Sequence, residues 1–426
     1  MLVFKFGGAS VKNAHAVRNV AHILNQYANE DLLVVVSAMG KTTNAFEALV
    51  KAYFHDRNSC EVLLQNIRGY HEEIMSDLFA DPNALVWQEV NNLLVEAEWM
   101  LEEEMNHGYS HTYDQIVSLG ELISTTIIAH FLNEQNFAIQ WLDARNFILT
   151  DNHYREAKVD WQASESAFER TMKNVPRTEG KLRVITQGFI GCTSENFTTT
   201  LGREGSDYTA AILAYLSNAE EVSIWKDVAG VLSADPRKFP DAVLIPNMSY
   251  HDAVELTYYG ATIIHPKTIK PLQNKQIPLR VKSFENPEAP GTLIHNHAEN
   301  VHLPCIIHKS NQLLVSLSVK DFSFIAEEHL SDIFKIFSDH NVRLNLMQLS
   351  ALSFSVCIDW DEMKTNQVLD RLKVDFKVLF NAGLDLFTIR HYDAESIKKL
   401  SEGRKIILEQ RSRQTIQLVA LASNSD

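Results

Sequence analysis

"VFKFGGAS" occupies residues 3–10, an apolar run that carries one lysine, Lys5, and ends on Gly7-Gly8 before Ser10. Taken alone it reads as an edge strand with a solvent-facing lysine, closed by a turn. Its surroundings read differently. Leu2 to Phe6 has strand composition, and Ala14, Val17, Ala21, Leu24 and Ala28 then recur at helical spacing. "LLVVVSA" (Leu32 to Ala38) is the continuous apolar run of a strand buried on both faces. Strand, helix and buried strand make a βαβ unit, so the chain opens as α/β with parallel pairing.

With 426 residues the chain has room for roughly two to three domains. At 45% hydrophobic and 22% charged residues it has the composition of an ordinary globular protein. Lys+Arg 39 against Asp+Glu 54 gives −15, which argues against a general nucleic-acid or anionic-membrane surface. A local anion site stays open, because a few lysines and a helix N-terminus suffice to make one. Cys60, Cys192, Cys305 and Cys357 are scattered without a C-x-x-C pair, which fits reduced thiols. No run approaches the ~18 consecutive apolar residues of a membrane helix, and the chain starts on a strand pattern rather than a leader. The expectation is a cytoplasmic protein that binds neither nucleic acid nor membrane.

Residues 45–133 are mostly helical by pattern, and "VITQGFIG", "VSIWKD" and "IPLRVKSF" follow as strands. "SYHD" (Ser249 to Asp252) is a capping box, and Pro266 suits the first turn of the next helix. A texture change at "NPEAPGTLIHNHAEN" places a boundary near residue 295. Beyond it the order strand, helix, strand, strand, helix, strand over residues 312–382 is a ferredoxin-like module. A shortened second copy covers about 300–310 plus 383–426, where a strand in "PCIIHKS" is placed to complete its sheet. The module is expected to expose sheet edges and to lack a closed core of its own.

Several stretches have the chemistry of a site. "SAMGKTTN" (37–44) lacks the first glycine of a P-loop, since Val35 stands there. It reads instead as a crevice mouth at the end of a parallel strand, with Ser37 and Thr43 offering hydroxyls, or as a simple strand cap. In "TTTLGREGSDYTAAILAYL" (198–216), Gly202 and Gly205 permit close backbone approach, and a helix begins near Ser206 and Asp207. Such an N-terminus suits a phosphate or carboxylate, and Arg203 adds a planar fork for a carboxylate. Asp207 reads equally as an N-cap. Asp227, Gly230, Asp235 and Arg237 in the loop after "IWK" can frame a nucleotide or serve as turn chemistry. Glu121 is a lone acid in the apolar "SLGELISTTI", so it should face a cation or a cleft. His295, His297 and His302 lack carboxylate or cysteine partners for a metal site, and the direct metal ligands stay open.

In this order, "KFGGAS", "SLGELIST", "TQGFIG", "TTTLGREGSDYTAA", "DVAGVLSADPR" and "GATIIHP" resemble the aspartate kinases of the amino-acid kinase family. The resemblance runs over essentially the whole chain. It implies a carbamate kinase-like α/β/α sandwich over 1–295, followed over 296–426 by regulatory ferredoxin-like ACT modules. It implies ATP with Mg²⁺ as co-substrate, L-aspartate as acceptor and 4-phospho-L-aspartate as product, the first step toward lysine, threonine and methionine. By resemblance, Lys5 and Asp207 are catalytic, and Ser37, Thr43, Glu121, Arg203 and Ser206 bind aspartate. Lys5, Gly7, Gly8, Ser10, Lys226, Asp227, Gly230, Leu232, Asp235 and Arg237 surround ATP. The end of the chain at Asp426 leaves no room for a fused homoserine dehydrogenase in this reading.

The sequence departs from the family pattern at Thr262, where a lysine is usual, and at Glu204, Lys226 and Leu232. Losing one charge-assisted contact costs roughly 1.5–3 kcal/mol, enough to weaken ATP binding without abolishing turnover, and Lys226 is placed to compensate. Two alternatives stay open: a kinase for another acidic amino acid, and a weakly catalytic amino-acid sensor. ACT modules imply a homodimer or higher homo-oligomer, with lysine or threonine as effector.

Overall fold

The computed structural model describes residues 1–102, 106–261, 264–296, 303–321 and 323–422. Thr262, His297 and His302 lie outside the described residues. The opening βαβ unit is β1 (Leu2–Phe6), α1 (Ala14–Gln26) and β2 (Leu32–Val36). The Asn13 side chain caps α1 by accepting from the Ala16 N–H at 2.9 Å, and Val17, Val20, Ile23 and Leu24 bury its inner face. Five helices follow: α2 (Thr42–His55), α3 (Cys60–Leu78), α4 (Leu85–Glu102), α5 (Tyr109–Val117) and α6 (Leu119–Glu134). Next come β3 (Gln140–Leu142), α7 (Trp161–Lys173), β4 (Arg183–Gln187) and the β5 (Ile190–Cys192) and β6 (Thr198–Thr200) hairpin. The chain continues through α8 (Gly205–Ser217), β7 (Glu221–Lys226), β8 (Asn247–Met248), α9 (Tyr250–Tyr259), α10 (Pro266–Lys275), β9 (Leu279–Ser283) and β10 (Thr292–Ile294).

These strands form an eight-stranded sheet in the order β3-β4-β2-β1-β7-β9-β10-β8. Lys5 therefore sits on a central strand, opposite Val35 of β2 and Ile224 of β7 in parallel register. The edge-strand reading of Lys5 is overturned, because β1 has a neighbour on each side. Ser249 and Asp252 form the expected cap, with the Ser249 hydroxyl 2.8 Å from the Asp252 carboxylate. Pro266 sits in the first turn of α10 behind His265. One helical stretch, Tyr109–Glu134, is apolar enough by length and composition to cross a membrane, but 89% of that window is buried inside the fold. It is the helix pair α5 and α6, of which α6 packs on β2, β3 and β4 of the eight-stranded sheet. The four cysteines are all buried.

Packing divides the chain into two compact units. The first comprises Met1–Val231, Pro246–Val254 and Ile263–Asn300, and the second Leu232–Ile245, Glu255–Thr262 and Val301–Asp426.

The second unit contains β11 (Cys305–Val319), α11 (Glu327–Asp339), β12 (Leu344–Leu349), β13 (Phe354–Asp359), α12 (Glu362–Asp375), β14 (Phe376–Arg390), α13 (Ala394–Ser401), β15 (Ile406–Arg411) and β16 (Thr415–Leu421). They make one antiparallel sheet of six strands, β12-β13-β11-β14-β16-β15. The strand in "PCIIHKS" does complete the second module, since Cys305–Lys309 pairs with the Leu386–Arg390 end of β14. Both modules share β11 and β14, with register shifts between Lys309 and Leu314. Gln417 of β16 donates to the Asn345 carbonyl of β12 at 3.3 Å. Four inter-strand spacings in a flat sheet would separate them by about 19 Å, so the sheet bends back on itself at those irregularities.

The expectation that the first module lacks a closed core is corrected. Leu313, Val315, Leu317, Ile333, Phe337, Val356, Val368 and Leu372 form a buried cluster under α11 and α12. Full burial of each such side chain is worth about 1.5–3 kcal/mol. Period-2 strands facing period-3.6 helices supply this core without a partner.

Candidate active site

Parallel strands end their side-chain rows at the same edge of a sheet, and loops leaving that edge converge. Here the loops after β1, β2 and β4, with the last residue of β7, surround a cavity of about 880 Å³ in the first unit. Lys5 points along the central strand toward it and is only 9% exposed. The partner that holds the charge there is Asp207, in the first turn of α8. Its carboxylate is 2.7 Å from the Lys5 ammonium and 3.4 Å from the Lys226 ammonium at the end of β7. Burial alone would push Asp207 up, but the two ammonium groups outweigh it and hold the carboxyl below its ordinary value. Asp207 is thus no N-cap: the cap position is Glu204, which makes no side-chain capping bond.

Gly7 and Gly8 have different jobs. A Cβ at Gly8 would sit 2.7 Å from the Gly40 carbonyl oxygen and 2.8 Å from that of Ala38, so only glycine lets the first and second loops touch. The Gly40 N–H donates to the Gly8 carbonyl at 3.0 Å across that contact. A Cβ at Gly7 would crowd the Lys5 ammonium at 3.3 Å.

On the other wall Glu121 opens α6, and it is 2% exposed. The Ala38 N–H and the Thr43 hydroxyl donate to its carboxylate, yet burial wins and pushes its pKa up to about 8. One carboxylate oxygen, Oε2, is buried without a hydrogen-bond partner. An orphaned buried carboxylate lining a cavity is a site prepared for a cation.

Lys5, Gly8, Ser37, Thr43 and Glu121 line the cavity together with Arg203, Ser206, Asp207 and Lys226. The expected aspartate-side residues are all there. Of the expected nucleotide group, the wall includes Lys5, Gly8 and Lys226, but not Gly7, Ser10, Asp227, Gly230, Leu232, Asp235 or Arg237. Ser10 is buried, its hydroxyl donating to the Trp225 carbonyl at 3.4 Å. Leu232, Asp235 and Arg237 belong to the second unit, where Arg237 pairs with Asp235 at 2.9 Å.

Residues 1–283 match the amino acid kinase family. Lysine-sensitive aspartokinase 3 of Escherichia coli is 33% identical over 397 residues, covering 91% of this chain and 86% of that protein. The chain belongs to the aspartokinases of the amino acid kinase family. Aspartokinase III of E. coli, solved with lysine and aspartate in its T-state, has a TM-score of 0.84 at 30% identity, covering 98% of this chain and 95% of that one. The same enzyme with aspartate and ADP in its R-state has a TM-score of 0.80 at 30% identity, covering 99% and 96%.

The aspartokinase cavity also holds residues that sequence reasoning passed over, among them Tyr113, Arg155, Phe189 and Glu47. Behind Tyr113 lies Asp114, fully buried, with its carboxyl pushed up to about 6 by burial against four donated hydrogen bonds. Asp114 lies four residues before "SLGELISTTI", a lone acid ahead of an apolar run, and that is the one signal that could have found it. Arg155 carried no such pattern, since its place depends on a loop conformation.

Proposed function

We propose that this aspartokinase transfers the γ-phosphoryl group of ATP to the β-carboxylate of L-aspartate inside the cavity between β1 and α8. The observation that carries this reading is one buried carboxylate, Asp207, held between two ammonium groups at the carboxyl ends of adjacent parallel strands. Two lysines around one carboxylate leave a net positive charge, aimed where a triphosphate can enter. Phosphoryl transfer needs positioning and charge neutralisation more than covalent help. In this reading Lys5 and Lys226 neutralise the transferring phosphate, and Asp207 keeps both lysines in place. The N-terminus of α8, which opens at Gly205 and Ser206, adds its partial positive charge.

Glu121 takes the ammonium of aspartate, Arg203 its α-carboxylate, and Ser37, Thr43 and Ser206 complete the pocket wall. The β-carboxylate is ionised at neutral pH and attacks without a general base. Among the described residues no three His, Cys, Asp or Glu side chains gather to hold a metal ion. In this reading Mg²⁺ enters as MgATP, carried on the phosphates as part of the co-substrate. ADP release measured with aspartate, with glutamate and with no acceptor tests the assignment. Aspartate-dependent turnover is expected, and equal rates without acceptor would overturn it.

The second unit we propose to be regulatory and to pair with a second copy. β16 covers β14 only over Leu384–Arg390, so, among the described residues, 376–381 keep an open edge. That edge exposes Leu379 at 63% and Phe380 at 48%. Paired edges would bury them and frame a site for lysine or threonine. Leu379→Asp with Phe380→Asp is expected to halve the mass seen by light scattering, and an unchanged dimer would place the interface elsewhere.

A further inference from the structure

Two segments of the cavity wall carry arginines, and one buried carboxylate ties both segments down. Asp114 accepts from the Arg155 N–H with both oxygens, at 3.1 and 2.9 Å. It also accepts from the Thr200 N–H at 2.8 Å and the Thr200 hydroxyl at 2.7 Å. Thr200 leads through Gly202 to Arg203. The segments also touch directly: the Ala157 N–H donates to the Thr200 carbonyl at 3.0 Å. A Cβ at Gly202 would lie 3.1 Å from the Arg155 carbonyl oxygen.

Arg155 is held in an unusual state. Its φ is 73°, a left-handed conformation that is strained for a residue with a Cβ. Its guanidinium lies 4.6 Å from the Tyr113 ring centroid and 5.6 Å from that of Tyr109. Tyr113 lines the same cavity and is 8% exposed. Two aromatic rings fix the plane of the fork, and the Asp114 bonds fix the backbone from which it springs. A long cation locked at both ends loses little further entropy when it captures an anion.

We infer that Arg155 is a second carboxylate-recognising residue, acting with Arg203 on the dicarboxylic acceptor, and that Asp114 is the positioning residue that sets both arginines. The inference rests on the reading of this cavity as the aspartate site. An acceptor with two carboxylates presents two planar anions, and a guanidinium can grip either through paired N–H bonds. The cavity has one such fork on each of the two tethered segments. Glu121, across the cavity, is left for the ammonium.

The test uses the full chain. Arg155→Gly removes the fork, while glycine adopts the left-handed backbone without strain, so the variant should fold and melt no lower than the wild type. Calorimetric titration with aspartate should show Kd raised about tenfold or more, as for loss of a charge-assisted bond. KM for aspartate should rise in parallel, with KM for ATP unchanged. Arg155→Lys should recover part of the loss. Asp114→Asn replaces one acceptor oxygen by a donor, and its aspartate-specific loss should overlap with that of Arg155→Gly rather than multiply it. Unchanged aspartate affinity in Arg155→Gly overturns the inference, as does an equal loss of affinity for aspartate and ATP. If the wild-type chain itself binds no aspartate, the aspartate-site reading falls first and takes this inference with it.

Discussion

Lys5→Ala is expected to lower kcat by about 10²–10³-fold, the usual result of deleting one preorganised group that meets transition-state charge. KM for aspartate should move little, because the proposed partner of Lys5 is the transferring phosphate rather than aspartate. The variant should still fold. Lys226 remains 3.4 Å from Asp207, so the buried carboxylate keeps one cation. Acid should nevertheless destabilise it sooner. Asp207 is held below its ordinary value by the two lysines, so its contribution is present above that ordinary value and is lost as pH falls through the depressed one. Removing Lys5 raises the depressed value, and the loss begins at higher pH. Steady-state ADP release and pH-dependent melting check the two halves separately. A variant with wild-type kcat would remove Lys5 from the phosphate site.

The second large effect concerns a proton. Glu121 has its pKa pushed up to about 8, so at neutral pH the empty site holds a mostly neutral carboxyl. An incoming ammonium favours the ionised form, and aspartate binding at pH 7 should release close to one proton. Calorimetry in buffers of different ionisation heat reads that number directly. Aspartate affinity should climb as pH rises toward about 8 and level off above it. Stability of the empty protein should run the other way. Between the ordinary glutamate value and about 8 the folded chain keeps a proton the unfolded chain has lost, so stability falls as pH rises through that window. Glu121→Gln should abolish the proton release and weaken aspartate binding by roughly two orders of magnitude or more, the scale of breaking a buried ion pair. The same substitution should flatten the decline in melting temperature across that window. Proton release that persists in Glu121→Gln would move the ammonium to another acid.

Much of this was legible along the chain because it is local. The βαβ opening, the capping box at Ser249 and the helices and strands of the second unit follow from periodicity and capping chemistry, which act within a few residues. Glu121 was legible for the same reason. A single acid in an apolar helix is a local contradiction, and burial with an orphaned oxygen is its resolution.

What stayed hidden depends on which strands and loops become neighbours. Lys5 looks identical on an edge or a central strand; only the pairing of β1 with β2 and β7 makes it central. Gly8 looks like a turn residue, but its requirement comes from carbonyl oxygens about thirty positions away. The sequence reading divides the two modules at residues 382 and 383, and the structure runs one strand, β14, across that division because β11 runs alongside both parts. Asp207 reads equally as a cap or a site residue until Lys5 and Lys226 arrive from two different strands to fix its charge. Arg155 is the limiting case. Its left-handed backbone is held by a carboxylate on a helix forty-one residues earlier, a bond that residue spacing cannot announce. Local chemistry sets the elements and flags the lone charge, whereas close approach between distant segments decides which charges share a cavity.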